Sequence, residues 1–537
     1  MNADLGSSIR VLLVQPVFSK HNLLNFKAAA RLVGAYYTCP PLGLLTVAAL
    51  LPQHWQIRVV DENVRDLTED DIAWADIVMT GGMLPQQNGI LRTLQRAQAH
   101  SKPVVVGGID PTCQPEVYSE ADYLVIGEGE VSVPLFVEDF VRGSTTGIYQ
   151  ADRRADLGKE AVTPRFDLVD FQNYLRVDVQ FSRGCPYHCE YCAVVELFGR
   201  KPRSKTSQQI LAELTTLYDL GYRGHINLLD DNFYGSKLHA VKMLKALKPW
   251  SEQHGHPFFF STDASINLSK DAAFLELMRA NDFRYVFLGI ETPDEEALRL
   301  ANKHHNLNIP IVEAVRTFNR YGMMVIGGLI VGFDGETDGT SRALIDVVQE
   351  AGICLAYPGL LMALPHTRLF ERLTEEGRLY GGLPFLMRDV RGDHTTNGLN
   401  FVPERPRARV IADYRNILAE LFDEANFYQR VQTTVTHLSP NYLHRPGWQR
   451  TFGLLRVFVR VSAKATMMPG VGGLYWRTLI QAFWRNPHLV SVVVNMTALY
   501  VHFAQQADSI QDILAGQIEE IQSLGEAQYH VMRVGVH

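Results

Sequence analysis

The 537-residue chain has little cysteine: six residues in all. Cys39, Cys113 and Cys354 are far apart, which excludes a disulfide framework and suits a reducing interior. Excess positive charge is also missing. Lys and Arg number 51 against 58 Asp and Glu, for a net charge of −7, so no nucleic-acid partner is expected. The start, "MNADLGSSIRVLLVQP", lacks a basic segment followed by a long apolar run, so no secretory signal is read and a cytoplasmic location is expected. Long apolar runs are scarce. The strongest, His488 to Phe503, contains Asn495 and falls short of the about 20 residues that span a bilayer. It reads as a buried core helix, with interfacial contact to a membrane or a lipid-like substrate as the alternative.

What is present begins with alternation. Short β-branched runs at Arg10 to Pro16, Gln56 to Asn63, Asp76 to Gly82, Pro103 to Thr112 and Asp122 to Glu130 are separated by helical patterns. Apolar runs of this kind, tipped by glycine, predict buried parallel strands and an open doubly wound, Rossmann-like sheet. Ligands dock at the carboxyl ends of such strands. The tips here are Thr80-Gly81-Gly82, Gly107-Gly108 and Gly127-Glu128-Gly129. Glycine lets a ligand approach the backbone; each tip taken alone also reads as an ordinary tight turn.

A polar stretch from Gly143 to Phe171 reads as a linker. Six further strand candidates follow, at Val177 to Gly184, His225 to Phe233, Phe258 to Ile266, Tyr285 to Thr292, Met324 to Phe333 and Leu355 to Pro365. Helical segments between them predict a (β/α)6 partial TIM barrel, with its chemistry at the strand C-termini. Beyond about Pro403 the pattern becomes mostly helical. Arg456, Arg460 and Lys464 are spaced to share one helix face there. The organisation expected is therefore α/β: a Rossmann-like domain at 1–142, a linker at 143–172, a partial barrel at 173–402 and a helical domain at 403–537.

The other three cysteines sit together. "FSRGCPYHCEYCAVVELFGRKPRS" places Cys185, Cys189 and Cys192 directly after the first barrel strand, as CxxxCxxC. Three thiolates on one loop can bind three irons of a four-iron, four-sulfur (4Fe-4S) cluster and leave the fourth iron open. Structural zinc is the competitor, but it wants two spaced ligand pairs and no second pair exists. Arg200, Lys201 and Arg203 read either as counter-charges to the cluster or as a solvated basic turn.

CxxxCxxC with Tyr191 before its third cysteine resembles the signature of radical S-adenosylmethionine (SAM) enzymes. The resemblance extends from about Asp178 to Pro365. It implies that Asp230, Asp231 and Asn232 of "LLDDNF" hold the SAM amino group; a helix cap is the alternative for these three. By the same resemblance, Thr262 and Asp263 of "STDAS" and Glu291 of "LGIET" contact the carboxylate and ribose. Gly328 and Gly332 of "GGLIVGF" resemble the strand on which the adenine packs. The family's chemistry is homolysis of SAM to a 5′-deoxyadenosyl radical, with an electron donor such as flavodoxin or ferredoxin.

A doubly wound sheet ahead of such a barrel resembles the cobalamin-binding subclass. The implied cobalamin contacts are Gly81, Gly82, Met83, Gly107, Gly108, Gly127, Glu128 and Gly129. No Asp-x-His-x-x-Gly loop is present; the third strand leads into "TGGMLPQQNG" instead. The tail segment "YPGLLMALPHTRLFERLTEEGRL" resembles the branch of hopanoid methylases and the anaerobic bacteriochlorophyll cyclase. The function so implied is methyl transfer from cobalamin to an unactivated carbon of a hydrophobic or polycyclic small molecule. A radical oxidative cyclase or rearrangement enzyme without net methylation is one alternative, and a non-catalytic electron-transfer or sensor protein is another.

Overall fold

A computed structural model describes residues 8–19, 22–23, 25–381, 395–396, 398–445 and 447–534. The chain divides into two compact units: Met1–Lys20 with Tyr36–Ser182 and Arg203–Tyr222, and His21–Ala35 with Arg183–Pro202 and Arg223–His537.

In the first unit, β1 (Arg10–Gln15), β2 (Gln56–Asp61), β3 (Ile77–Gly81), β4 (Val104–Gly107), β5 (Tyr123–Ile126) and β6 (Gly147–Gln150) form one parallel sheet in the order β2-β1-β3-β4-β5-β6. Alternation along β1 explains its two covers. Leu12 and Val14 join one apolar core with Ile72, Ile90 and Leu94 of the helices Glu69–Trp74 and Gln87–Ala99. Val11 and Leu13 join the other, with Ala48, Val133 and Phe136 of Leu42–Leu50 and Gly129–Val141. Burying both faces is what makes the strands read as continuous apolar runs. The order reverses at β1 and β3, as in doubly wound folds.

Two predicted strands are shortened by their glycines. The chain leaves β4 at Gly107-Gly108 and enters the helix Ile109–Cys113, and β5 stops at Ile126, before the helix that starts at Gly129. The stretch read as a linker holds structure: Gly147–Gln150 extends the sheet as β6, and Leu157–Glu160 is a helical turn.

The first predicted barrel strand is interrupted, as β7 (Val177–Val179) and β8 (Ser182–Arg183); β9 (Arg203–Ser204) follows the cysteine loop in the chain. In the second unit, β10 (Gly224–Leu228), β11 (Phe258–Ala264), β12 (Phe283–Glu291), β13 (Met324–Val331) and β14 (Leu355–Leu360) pair in parallel with their successors in the chain. One face carries His225, Phe259, Ser261, Asp263, Tyr285, Phe287, Ile326 and Tyr357, mostly half-buried. The alternate residues, such as Val286, Leu288 and Ile290, are fully buried. The tail is helical: Arg407–Phe422, Glu424–His437, Trp448–Met467, Val471–Arg485, Leu489–Leu524 and Glu526–Val534. The apolar run at 488–503 falls in the longest of these helices, where Val492, Val493, Met496 and Phe503 are core residues. Phe503 packs edge-on to Tyr357, 5.5 Å between centroids, and Tyr357 in turn lies 6.2 Å from Phe287.

Candidate functional site

The cysteine loop is held from several sides. Gly184 has φ +95, a conformation that suits glycine, and its N–H donates to the Asp231 carboxylate at 2.6 Å. The Cys185 N–H donates to the Gly199 carbonyl, and the Cys192 N–H to that of Cys189, both at 3.2 Å. Between the cysteines, the Glu190 N–H reaches the Ala301 carbonyl, and the Asn302 amide donates to the His188 carbonyl at 2.7 Å. The Glu190 carboxylate pairs with Arg372 at 2.9 Å, and the Tyr187 ring stacks on His305. A loop so restrained presents its thiols in a fixed arrangement.

All three thiols are free and half-buried. Burial raises each of their pKa values, that of Cys192 to about 12. They become good ligands only by exchanging a proton for a metal, which supplies the missing positive charge. Among the described residues, no three His, Cys, Asp or Glu side chains converge on a single ion. A cubane takes one thiolate per iron and requires no such convergence, so this donor set fits it.

A buried ion pair stands beside the loop. Lys303 Nζ lies 2.7 Å from Glu291 Oε1 and 3.2 Å from the Tyr191 hydroxyl. The pair is possible because of the backbone beneath it. Glu291 adopts φ +64 at a bulge in the β12–β13 register. Gly289 leaves room for it: a Cβ there would sit 2.5 Å from Glu291 Oε1 and 3.0 Å from Lys303 Nζ. Buried non-glycine residues in this conformation concentrate at functional sites. Burial is the main influence raising the Tyr191 pKa, so its phenol stays neutral.

The other implied SAM contacts are distributed unevenly. Asn232 faces the cluster loop, with its amide 3.8 Å from Cys185 Sγ and 3.3 Å from Ser265 Oγ; its side chain caps no helix. Asp230 is buried. Asp231 is engaged in anchoring Gly184. Asp263 lies on the half-buried face. Thr262 points the other way, since neighbours on a strand alternate, and its hydroxyl donates to the Leu228 carbonyl at 3.0 Å. Gly328 admits the Phe287 ring, whose Cζ a Cβ would meet at 2.7 Å. Gly332, at φ +104, donates its N–H to the buried Glu336 carboxylate at 3.0 Å. Sequence reasoning did not single out Lys303, Asn302 or Glu336.

The glycine tips of the first unit are closely packed. A Cβ on Gly81 would fall 2.1 Å from the Gly107 carbonyl oxygen, and one on Gly108 3.0 Å from the Gly82 nitrogen. The Gly127 N–H donates to the Thr112 hydroxyl at 3.0 Å, and Gly129 opens a helix. Met83 is nearly half exposed at the end of β3. Gly108 and Gly127 are exposed at the carboxyl edge, where ligands of such sheets dock, whereas Gly81 is buried. Glu128 is also buried, receives Arg203 at 2.6 Å and accepts the Ala155 N–H at 3.3 Å. Arg203 is thereby committed to Glu128 and to the Ala155 carbonyl, and is neither a cluster counter-charge nor part of a solvated turn.

Residues 30–137 match the B12 binding domain, 179–348 the Radical SAM superfamily, and 367–514 a domain of unknown function (DUF4070). The hopanoid C-2 methylase of Rhodopseudomonas palustris is 35% identical over 523 residues, covering 94% of this chain and 96% of its own. An uncharacterized methyltransferase of Synechocystis is 34% identical over 520 residues, covering 95% and 94%. Among solved structures, the radical SAM methyltransferase TsrM from Kitasatospora setae aligns with TM-score 0.60 at 16% identity, over 86% of this chain and all of TsrM.

Proposed function

Since the chain belongs to the cobalamin-dependent radical SAM methyltransferases, we propose that it places a methyl group on an unactivated carbon of a hopanoid-like polycyclic lipid. When bound, the cluster and SAM supply a 5′-deoxyadenosyl radical, and cobalamin supplies the methyl group. The protein's part is to hold, orient and exclude water. The cysteine loop would hold the cluster, and Asn232, Glu291 and Lys303, which stand beside that loop, would hold SAM. The observation that carries the substrate class is the half-buried face of the second sheet. Phe259, Tyr285, Phe287, Ile326, Ile330 and Tyr357 line it, and Phe503 of the tail packs against Tyr357. Such a surface matches a rigid hydrocarbon and protects a radical from water. The 35% identity to a hopanoid C-2 methylase over nearly both chains supports the same choice. A flavodoxin or ferredoxin is the proposed reductant. The proposed place of action is at a membrane surface, where a lipid of this kind resides.

The test is anaerobic turnover with methyl-deuterated SAM, cobalamin and a hopanoid extract. A hopanoid carrying the labelled methyl is the expected product. Label recovered only in methionine, with a rearranged lipid, would establish a cyclase instead.

A further inference from the structure

Between Glu424 and Asp508 the chain has no acidic residue and eight Arg or Lys, although the protein as a whole is acidic. The helices Trp448–Met467 and Val471–Arg485 lie within this stretch. They pair as an antiparallel hairpin, joined by Ser462 Oγ to Tyr475 Oη at 2.6 Å and by Trp476 Nε1 to Thr466 Oγ1 at 3.0 Å. That register brings Val459 level with Ile480 and Leu455 level with Trp484. All four side chains are left uncovered, with Phe452 and Phe483 beside them; Trp484 is 80% exposed and Phe452 65%. Thr451 to Arg456 are exposed without a break, so the first helix stands clear of the body at its start. Arg456, Arg460, Arg477 and Arg485 are exposed among these apolar groups.

We propose that this hairpin docks on an anionic lipid bilayer, with its aromatic and aliphatic side chains at the headgroup level and its arginines on lipid phosphates. Exposed Trp and Phe interleaved with Arg, with no acidic residue on either helix, match the demands of that interface. Charge argues against a second copy of the chain as the occupant. A two-fold contact through this face would set its cations against themselves. Nor does the hairpin enter the bilayer as a span: among the described residues no helix is long and apolar enough to cross one. The inference extends the reading of a lipid substrate, but its test needs no substrate, so either can fail alone.

The experiment is sedimentation of the full-length protein with phosphatidylcholine vesicles, with and without phosphatidylglycerol. The expected result is binding to the anionic vesicles, weakened by salt. Arg456→Gln and Arg477→Gln should each weaken it about five-fold. The double variant Phe483→Ser, Trp484→Ser should abolish it while retaining 5′-deoxyadenosine formation from SAM, which shows that the variant is folded. Equal binding to neutral and anionic vesicles, or binding unchanged in the double variant, would overturn the proposal. So would a wild-type dimer that the double variant splits, because the face would then be a subunit interface.

Discussion

The Lys303 ammonium sits 2.7 Å from the Glu291 carboxylate, with 9% of each side chain exposed to solvent. Desolvation alone would lower the lysine pKa, yet it is raised, because Glu291 and the thiols of Cys189 and Cys192 face it. Lys303 thus stays charged beside the cluster loop, with Glu291 as its counter-ion. Lys303→Met should leave Glu291 buried and unpaired, at a cost of about 3–5 kcal/mol in folding stability. Adding Glu291→Gln removes that orphan charge and should restore most of the stability. SAM cleavage should stay lost in the double variant. Urea unfolding read together with 5′-deoxyadenosine yield separates the two roles; recovery of both would reduce the pair to a structural one.

Cys354 differs in environment from the three loop cysteines. Cys185, Cys189 and Cys192 are half-exposed on a restrained loop, whereas Cys354 is buried with its sulfur 3.1 Å from the Thr434 hydroxyl. Serine at any of the three loop positions should remove the visible absorption and iron content of reconstituted protein, and with them adenosyl fragmentation. Cys354→Ser keeps a partner for its hydroxyl and should retain iron. Iron analysis after anaerobic reconstitution checks both halves.

Most strands were legible in the sequence because burial writes a continuous apolar run: the eleven candidates fall on β1–β5, on the interrupted β7 and β8, and on β10–β14. Strand β6 was not, because it lies at the sheet edge: Ile148 is 70% exposed and the pattern "GIYQ" carries no buried run. The cluster loop was legible because its three ligands fall within eight residues. Other site residues meet only in space. Lys303 reaches Glu291 from beyond an intervening helix, and Arg203 finds Glu128 from 75 positions away. Nothing local marks either one. Thr262, by contrast, could have been corrected from sequence, since strand alternation assigns it the opposite face from Ser261 and Asp263.

Gly184 opens the cluster loop in a conformation that side chains resist, and it has no room for one. A Cβ there would lie 2.8 Å from the Gly199 carbonyl oxygen and 3.2 Å from those of Phe198 and Lys201. These are backbone atoms, which cannot rotate away. Gly184→Ala should therefore cost about 1–3 kcal/mol in strain. It should also loosen the Asp231 hydrogen bond that sets the loop. Reconstituted variant should hold less iron per chain than the wild type, with a lower thermal midpoint. Full iron occupancy at an unchanged midpoint would show that the loop does not depend on this turn.

Glu336 ties β13 to its following turn, accepting the N–H of Gly332. Burial outweighs its hydrogen bonds and raises its pKa from 4.5 to about 7. The folded chain therefore holds this proton more tightly than the unfolded chain. The stability it contributes is fully present below pH 4.5 and is lost as pH climbs through about 7. The loss amounts to at most about 4 kcal/mol, at roughly 1.4 kcal/mol for each unit of pKa. Glu336→Gln fixes the group as neutral and should flatten that part of the curve. Urea midpoints of wild type and variant, compared on either side of neutrality, should diverge on the alkaline side, with the variant the more stable. Parallel curves would mean that Glu336 is already ionised throughout the range.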